Sequence, residues 1–339
     1  MITADRLDGV LRDRWPTVAP TEPVPQRLAY LLLTKGREEG NKLVLLVFPD
    51  GRCTPRLVVK LGRTVTQNAA LAAEEAALAA LAGRGEHGVV GTPAALGSAR
   101  LDGRLLILQS VVEGRSLWEV AAASRSTQYV APIVNWLSHL ARATCRPPTA
   151  EPAPDRRLVG PESALVGGPP RSAACEAVPT PAAILQGLRR QPIPMVFEQR
   201  DMGTWNIVIG ADGRITVLDW ESACLEGLPA WDLFYFLVHY GFMVHGAAGP
   251  DDQLRSFSET FGSITGFGAI AREAVRRYVD AVGLEREWLS PLMAACWAHH
   301  AHAEAARRRT QAADTLFGRL VEATLRLDRE GRLGWPRAA

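Results

Sequence analysis

The sequence predicts an α+β chain in two parts: a small antiparallel sheet with one main helix, then a larger and mostly helical part. Three observations lead there. Short apolar stretches near the N-terminus are separated by turn formers; a long alanine- and leucine-rich helix follows them; and helical periodicity dominates after Gly114. The boundary is placed so that the parts are 1–113 and 114–339.

The elements follow in order. A short amphipathic helix is expected over 3–14. RLAYLLLT (27–34), NKLVLLVF (41–48) and RLVVKL (56–61) are apolar runs of strand length. KGREEG and PDGRCTP lie between them and are rich in turn formers, so the three runs read as a meander. NAALAAEEAALAALAG then carries a helix to a stop at Gly83, and RLLILQSVVEG (104–114) reads as a further strand. Beyond it, helical patterns cover 116–124, 129–144, 181–190, 231–244, 253–262, 268–282, 289–308 and 310–328. One segment interrupts them: MVFEQRDMGTWNIVIGADGRITVLDWESA reads as a loop followed by a hairpin. The stretch 146–180 is rich in Pro, Gly, Ser and Ala, and a loop of that length is commonly functional or disordered.

Bulk properties narrow the classes. Hydrophobic residues make up 47% of the 339, charged residues 22%, and the net charge is +2. This is ordinary globular composition, and no block of like charge suggests a nucleic-acid arm. The five cysteines are scattered and form no C-x-x-C pair, which argues against a disulfide framework or zinc site and for a reducing compartment. The charged N-terminus lacks the apolar core of a secretory signal, and no apolar run is long enough to span a bilayer. The expectation is a cytoplasmic monomer or homodimer with neither nucleic acid nor membrane as partner.

Chemistry concentrates in QRDMGTWN (199–206) and ITVLDW (215–220). Phosphoryl transfer needs a carboxylate for the proton of the attacking hydroxyl, oxygen ligands for Mg²⁺, and a cation on the α/β-phosphates. Asp201 lies five positions before Asn206, the spacing of the protein-kinase catalytic loop, and Asp219 ends an apolar strand as a metal carboxylate should. If GADG (210–213) is a four-residue hairpin loop, Asn206 lies opposite Val217. Asp219 is then a diagonal neighbour on the same face, roughly 7–8 Å away at the backbone. Two such oxygens suit Mg²⁺, which prefers one or two protein ligands besides phosphate and water.

This segment resembles the aminoglycoside phosphotransferase and choline kinase branch of the protein-kinase-like superfamily. There a loop H-G-D-x-x-x-x-N precedes a strand ending in I-D-W or I-D-F, then a helix beginning near P-x-x-D-L. Here the matching pieces are DMGTWN, VLDWE and LPAWDL. The resemblance implies a bilobal kinase-like fold, with residues 1–113 binding nucleotide and 114–339 carrying catalysis and the acceptor. It implies Asp201 as catalytic base, Asn206 and Asp219 as Mg²⁺ ligands, and a structural role for Asp232 in bracing the catalytic loop. ATP or GTP would be the co-substrate. Gln199 stands where the family usually has histidine, which motivates an alternative reading as a catalytically inactive nucleotide- or ligand-binding protein. No A-P-E segment follows VLDW, and DWESACLEGLPAWDL leaves almost no room for an activation loop, so a protein kinase is disfavoured.

On the nucleotide side, Lys60 ends RLVVK in the manner of the kinase V-A-I-K strand. Its partner should be a glutamate on the following helix. Leu71, Leu78 and Leu81 define the apolar stripe; Glu74 falls nearer its middle than Glu75, and a carboxylate on a buried face needs a counter-charge. Glu74 is therefore favoured. KGREEGN (35–41) is a poor phosphate-covering loop, with two glutamates between Gly36 and Gly40. LQSVVEG resembles the family hinge, which would put Ser110 and Val112 at the nucleotide base. On the acceptor side, His299 and His302 share a helix face, whereas Trp231, Phe234, Tyr235 and Phe236 read as helix core. Charges nearly balance from Glu226 onward, so a strongly cationic aminoglycoside is less favoured than a sugar, an aminocyclitol or a nucleoside-like metabolite.

Overall fold

Period-2 burial and turn chemistry set the first elements, and helical periodicity sets most of the rest. The structure is a computed structural model describing residues 3–34, 42–83, 91–146, 178–188, 193–333 and 335. The segment 35–41 and most of 146–180 lie outside the described residues. In chain order the first elements are α1 (Ala4–Val18), β1 (Leu28–Leu32), β2 (Leu43–Pro49), β3 (Leu57–Leu61), α2 (Asn68–Ala82), β4 (Ala95–Leu101) and β5 (Arg104–Gln109). Next come β6 (Arg115–Ser116), α3 (Leu117–Ala121), α4 (Val130–Thr144), α5 (Pro181–Ile184), β7 (Val196–Glu198), β8 (Ile207–Ile209), β9 (Ile215–Val217) and β10 (Cys224–Gly227). The chain closes with α6 (Trp231–His245), α7 (Pro250–Gly262), α8 (Gly266–Val282), α9 (Leu289–Arg308) and α10 (Leu316–Arg329).

These form two compact units. One comprises Met1–Gly114 with Gly210–Ser222, the other Arg115–Ile209 with Ala223–Ala339. In the first, the sheet order is β1-β2-β3-β5-β4, and every pairing is antiparallel. Alternation sorts its two faces. Val59, Leu61, Leu106 and Leu108 pack with Leu7, Leu11 and Trp15 of α1. Ile107 and Leu105, on the other face, pack with Leu71 of α2. Lys60 pairs with Val44 on one side and Ile107 on the other, so it shares the α2 face. Asn68 pins the start of α2: its Oδ1 accepts from Leu105 N–H at 2.7 Å and its Nδ2 donates to Gly103 O at 2.9 Å. Gly83 ends the helix, its N–H bonding Ala79 O. Glu74 is thereby set over β3.

In the second unit, buried aromatics of α6, α7 and α9 form the centre, including Trp231, Phe234, Phe236, Tyr240, Phe257 and Trp297. Fully burying each such side chain is worth about 1.5–3 kcal/mol. β7 pairs antiparallel with β10, and β6 with β8.

Several boundaries differ from the sequence reading. β4 was not expected; ALGSARL has small residues and a glycine, and it becomes a strand by pairing with β5 across a turn at Asp102-Gly103. The strand expected over 104–114 ends at Gln109. The last helix starts at Leu316 rather than near 310, because Thr315 caps it by accepting from Gly318 N–H. The hairpin loop is also one residue shorter than expected. Gly210 N–H donates to Arg214 O (2.9 Å) and Gly213 N–H to Gly210 O (2.9 Å). Gly213 sits at φ +79°, so this is a type I turn with a G1 bulge. The closing pair is 210 and 214, shifted by one from the register that would set Asn206 opposite Val217.

Candidate functional site

The first unit gathers a buried charge cluster on the α2 face of the sheet. Lys60 Nζ lies 2.5 Å from Glu74 Oε1 and 3.1 Å from Asp219 Oδ1. Glu74 is fully buried, whereas Glu75 is half-buried, so the helix face selects the glutamate expected. Gln109 Nε2 also donates to Glu74 Oε1, at 3.0 Å. A second cation, Lys42, joins them: its Nζ is 2.9 Å from Asp219 Oδ1, 2.5 Å from Glu221 Oε2 and 3.7 Å from Glu74 Oε2. Asp219 is therefore flanked by two ammonium groups. Burial alone would raise its carboxyl, but Lys60 and Lys42 outweigh burial and hold it well below the usual carboxylate range. Burial likewise opposes the charge of Lys42; Asp219, Glu221 and Glu74 outweigh it and push the ammonium pKa up.

Asp219 follows β9 at φ +61°, a left-handed conformation that aspartate tolerates better than most residues. The turn is anchored by the fully buried Trp220, whose Nε1–H donates to Val217 O at 2.9 Å. At the end of β5, Ser110 N–H donates to Ala94 O and its hydroxyl accepts from Ala94 N–H. Among the described residues, no partner takes the Ser110 carbonyl or the Val112 amide. Both groups are therefore available to a planar base with a donor and an acceptor.

The second unit builds the loop 199–206 after β7. Asp232, in the first turn of α6, accepts from Gln199 N–H (Oδ2, 2.7 Å) and Arg200 N–H (Oδ1, 2.8 Å). Burial pushes its carboxyl up to about 6 against those two bonds. Arg200 sits at φ +67°; its side chain turns inward to Glu198 Oε2 (2.9 Å) and lies 5.4 Å over the Trp231 ring. Gln199 Oε1 accepts from Asp201 N–H at 2.8 Å. Glutamine thus fixes the backbone of Asp201 directly. Asn206 Nδ2 donates to Asp201 O (2.9 Å) and Asp201 Oδ2 (2.7 Å). The Tyr235 hydroxyl donates to the Asp201 carboxylate, and burial followed by that neighbour raises the phenol pKa well above its usual value.

Of the residues singled out in the sequence, Lys60, Glu74 and Asp219 meet in the first unit, and Asp201 and Asn206 meet in the second. Lys42, Glu221 and Tyr235 were missed. Tyr235 had a signal: it is three residues after Asp232, hence on the same helix face. His302 Nε2 instead bonds Val178 O (3.1 Å), and the His299 ring packs 5.3 Å from that of Trp231. Asn206 in the second unit and Asp219 in the first each carry an oxygen of the kind magnesium takes. Asn206 turns its nitrogen to Asp201, and among the described residues no donor takes its Oδ1; Asp219 is an ionised carboxylate. Both are the hard oxygen donors that Mg²⁺ selects. No helix among the described residues is long and apolar enough to cross a membrane.

Comparison with known proteins supplies a family and a fold. Residues 38–278 match the model of the phosphotransferase enzyme family. No curated protein matches the sequence. Among solved structures, the "putative fructosamine-3-kinase" of Haemophilus somnus 129PT superposes with a TM-score of 0.51 at 9% identity, covering 94% of this chain and 97% of that one. At that identity the likeness is one of fold, and the fold is kinase-like.

Proposed function

The chain belongs to the phosphotransferase enzyme family, and on that premise we propose that it is a small-molecule kinase using ATP or GTP. The acceptor is a hydroxyl of a sugar, aminoglycoside, aminocyclitol or nucleoside-like metabolite. The observation that carries the reading is the Lys60–Glu74–Asp219 cluster: a buried cation locked by a helix glutamate and aimed at an ionised carboxylate. A structural ion pair would need only one carboxylate.

The proposed roles follow from the contacts. Residues 1–113 bind the nucleotide, with Ser110 O and Val112 N–H at the base. Lys60, oriented by Glu74, fixes the α/β-phosphates. Asn206 and Asp219 would hold magnesium, which when bound neutralises charge on the β- and γ-phosphates. Residues 114–339 carry catalysis and acceptor binding. There Asp201 takes the proton of the acceptor hydroxyl as its oxygen bonds to the γ-phosphorus and the nucleoside diphosphate leaves. Tyr235 and Asn206 each donate to the Asp201 carboxylate and keep it oriented. Gln199 supports the Asp201 amide, so its replacement of histidine retains the loop. The protein works in the cytoplasm as a monomer or homodimer.

The test is nucleoside diphosphate release with Mg·ATP and Mg·GTP against sugars, aminoglycosides, aminocyclitols and nucleosides. A fructosamine belongs in the panel because of the neighbour's name. Asp201→Ala should abolish turnover and spare nucleotide binding; Asp219→Ala should weaken Mg·nucleotide binding. Full activity in Asp201→Ala would sink the mechanism. Nucleotide binding without turnover on any acceptor would favour the inactive, ligand-binding alternative.

A further inference from the structure

We infer that Lys42 is a second phosphate-binding cation of the nucleotide site, positioned by Glu221. The inference rests on the kinase reading above and goes beyond it, since that reading needs only Lys60.

Composition gives the first observation. Only three of the 38 basic residues are lysines: Lys35, Lys42 and Lys60. Everywhere else the chain uses arginine. Lysine and arginine differ in chemistry: the ammonium is a compact point charge on a flexible stem, and the guanidinium is a broad planar fork. Two of the three lysines are buried together on one carboxylate oxygen.

Geometry gives the second. Val44 pairs with Lys60, and Lys42 precedes Val44 by two residues, so the two lysines emerge on the same face of the sheet. The backbone of Lys42 is fixed by Thr34, whose hydroxyl donates to Lys42 O (2.7 Å) and accepts from Val44 N–H (2.8 Å). Only 10% of the Lys42 side chain is exposed. A lysine serving solubility would not be held this way, because burying an ammonium costs free energy that only a charged partner returns.

Charge and exchange give the third. The cluster holds two ammonium groups and three carboxylates, Glu74, Asp219 and Glu221. Both ammoniums spend a hydrogen bond on Asp219 Oδ1. When Asp219 turns to a divalent cation, those bonds are released. Lys60 keeps Glu74 and Lys42 keeps Glu221. Each lysine is then anchored and has donors to offer the phosphates the cation carries.

The experiment compares the full-length wild type, Lys42→Met and Lys42→Arg by calorimetry with three probes: Mg·ATP or Mg·GTP, the matching nucleoside, and Mn²⁺ alone. In Lys42→Met, triphosphate affinity should fall roughly 10- to 100-fold, the loss of one charged hydrogen-bond donor. Nucleoside affinity should stay within about twofold, and Mn²⁺ alone should bind about tenfold tighter because a competing ammonium has left Asp219. Lys42→Arg should fall between. A purely structural counter-ion would weaken nucleoside and triphosphate together; that pattern overturns the inference. If Lys42→Met does not fold, the wild type decides. A nucleotide carrying an acyl group on its terminal phosphate should acylate Lys42 as well as Lys60, and labelling of Lys60 alone overturns the proposal. Wild type that binds neither triphosphate defeats the kinase reading itself. Wild type that binds, with Lys42→Met binding equally well, defeats only this one.

Discussion

Asp232→Ala removes the acceptor of two buried backbone amides at once. Gln199 N–H and Arg200 N–H both end on its carboxylate, at 2.7 and 2.8 Å. Each orphaned buried donor costs about 1–3 kcal/mol, so the two together cost about 2–6 kcal/mol. Part of that returns, because burial already pushes the carboxyl up to about 6 and the variant no longer holds that charge in the core. The expected loss of stability is therefore about 2–4 kcal/mol. Asp232→Asn keeps the shape and one acceptor, and sets an NH₂ group against the other amide; it should lose about half as much. Urea unfolding followed by tryptophan fluorescence reads both values. Turnover should fall further than stability alone accounts for, since the freed amides belong to the two residues that precede Asp201. An Asp232→Ala variant within about 0.5 kcal/mol of wild type would refute the clamp, because no relaxation of that loop gives both amides a new partner cheaply.

Other perturbations test separate parts. In Gly227→Ala the new Cβ would lie 2.1 Å from Glu198 Oε2, pushing Glu198 off Arg200; a loss of about 2–4 kcal/mol in urea is expected. Glu74→Ala leaves Lys60 and Lys42 short of a buried carboxylate and should cost about 3–5 kcal/mol, with Glu74→Gln milder, both read by thermal melting. His239 is pushed by burial down to about 3 from 6.5, so the folded state refuses a proton that the unfolded state accepts. Its contribution is full above pH 6.5 and is lost as pH falls, by about 2–3 kcal/mol at pH ~4.5. His239→Phe should flatten that part of the urea-midpoint profile against pH; an unchanged slope would remove His239 as its source.

What the sequence could and could not reveal follows from the range of the interactions. Local patterns were legible. The apolar runs located β1, β2, β3 and β5, the glycine at 83 ended α2 where expected, and helical phase alone chose Glu74 over Glu75. The five-residue spacing of Asp201 and Asn206 brought them into hydrogen-bond contact. β4 was hidden because Ala, Gly, Ser and Ala carry little strand propensity. The hairpin register was hidden because a left-handed Gly213 absorbs one residue. Lys42 was hidden for a different reason. In the sequence it is one polar residue at the head of an apolar strand; its meaning comes from Asp219, 177 positions away.

That separation has a consequence for synthesis. The first unit is discontinuous: its sheet is complete by Gly114, but the segment bearing Asp219 and Glu221 arrives only with Gly210–Ser222. A nascent chain emerging at the usual translation rate waits on the order of ten seconds between the two. During that interval two lysines and Glu74 share an unfinished cluster with one carboxylate. A fragment ending near residue 113 would stay in that state permanently, so it is the wrong piece with which to study nucleotide binding. A chain permuted to splice 210–222 directly after Gly114 would contain every partner from the start.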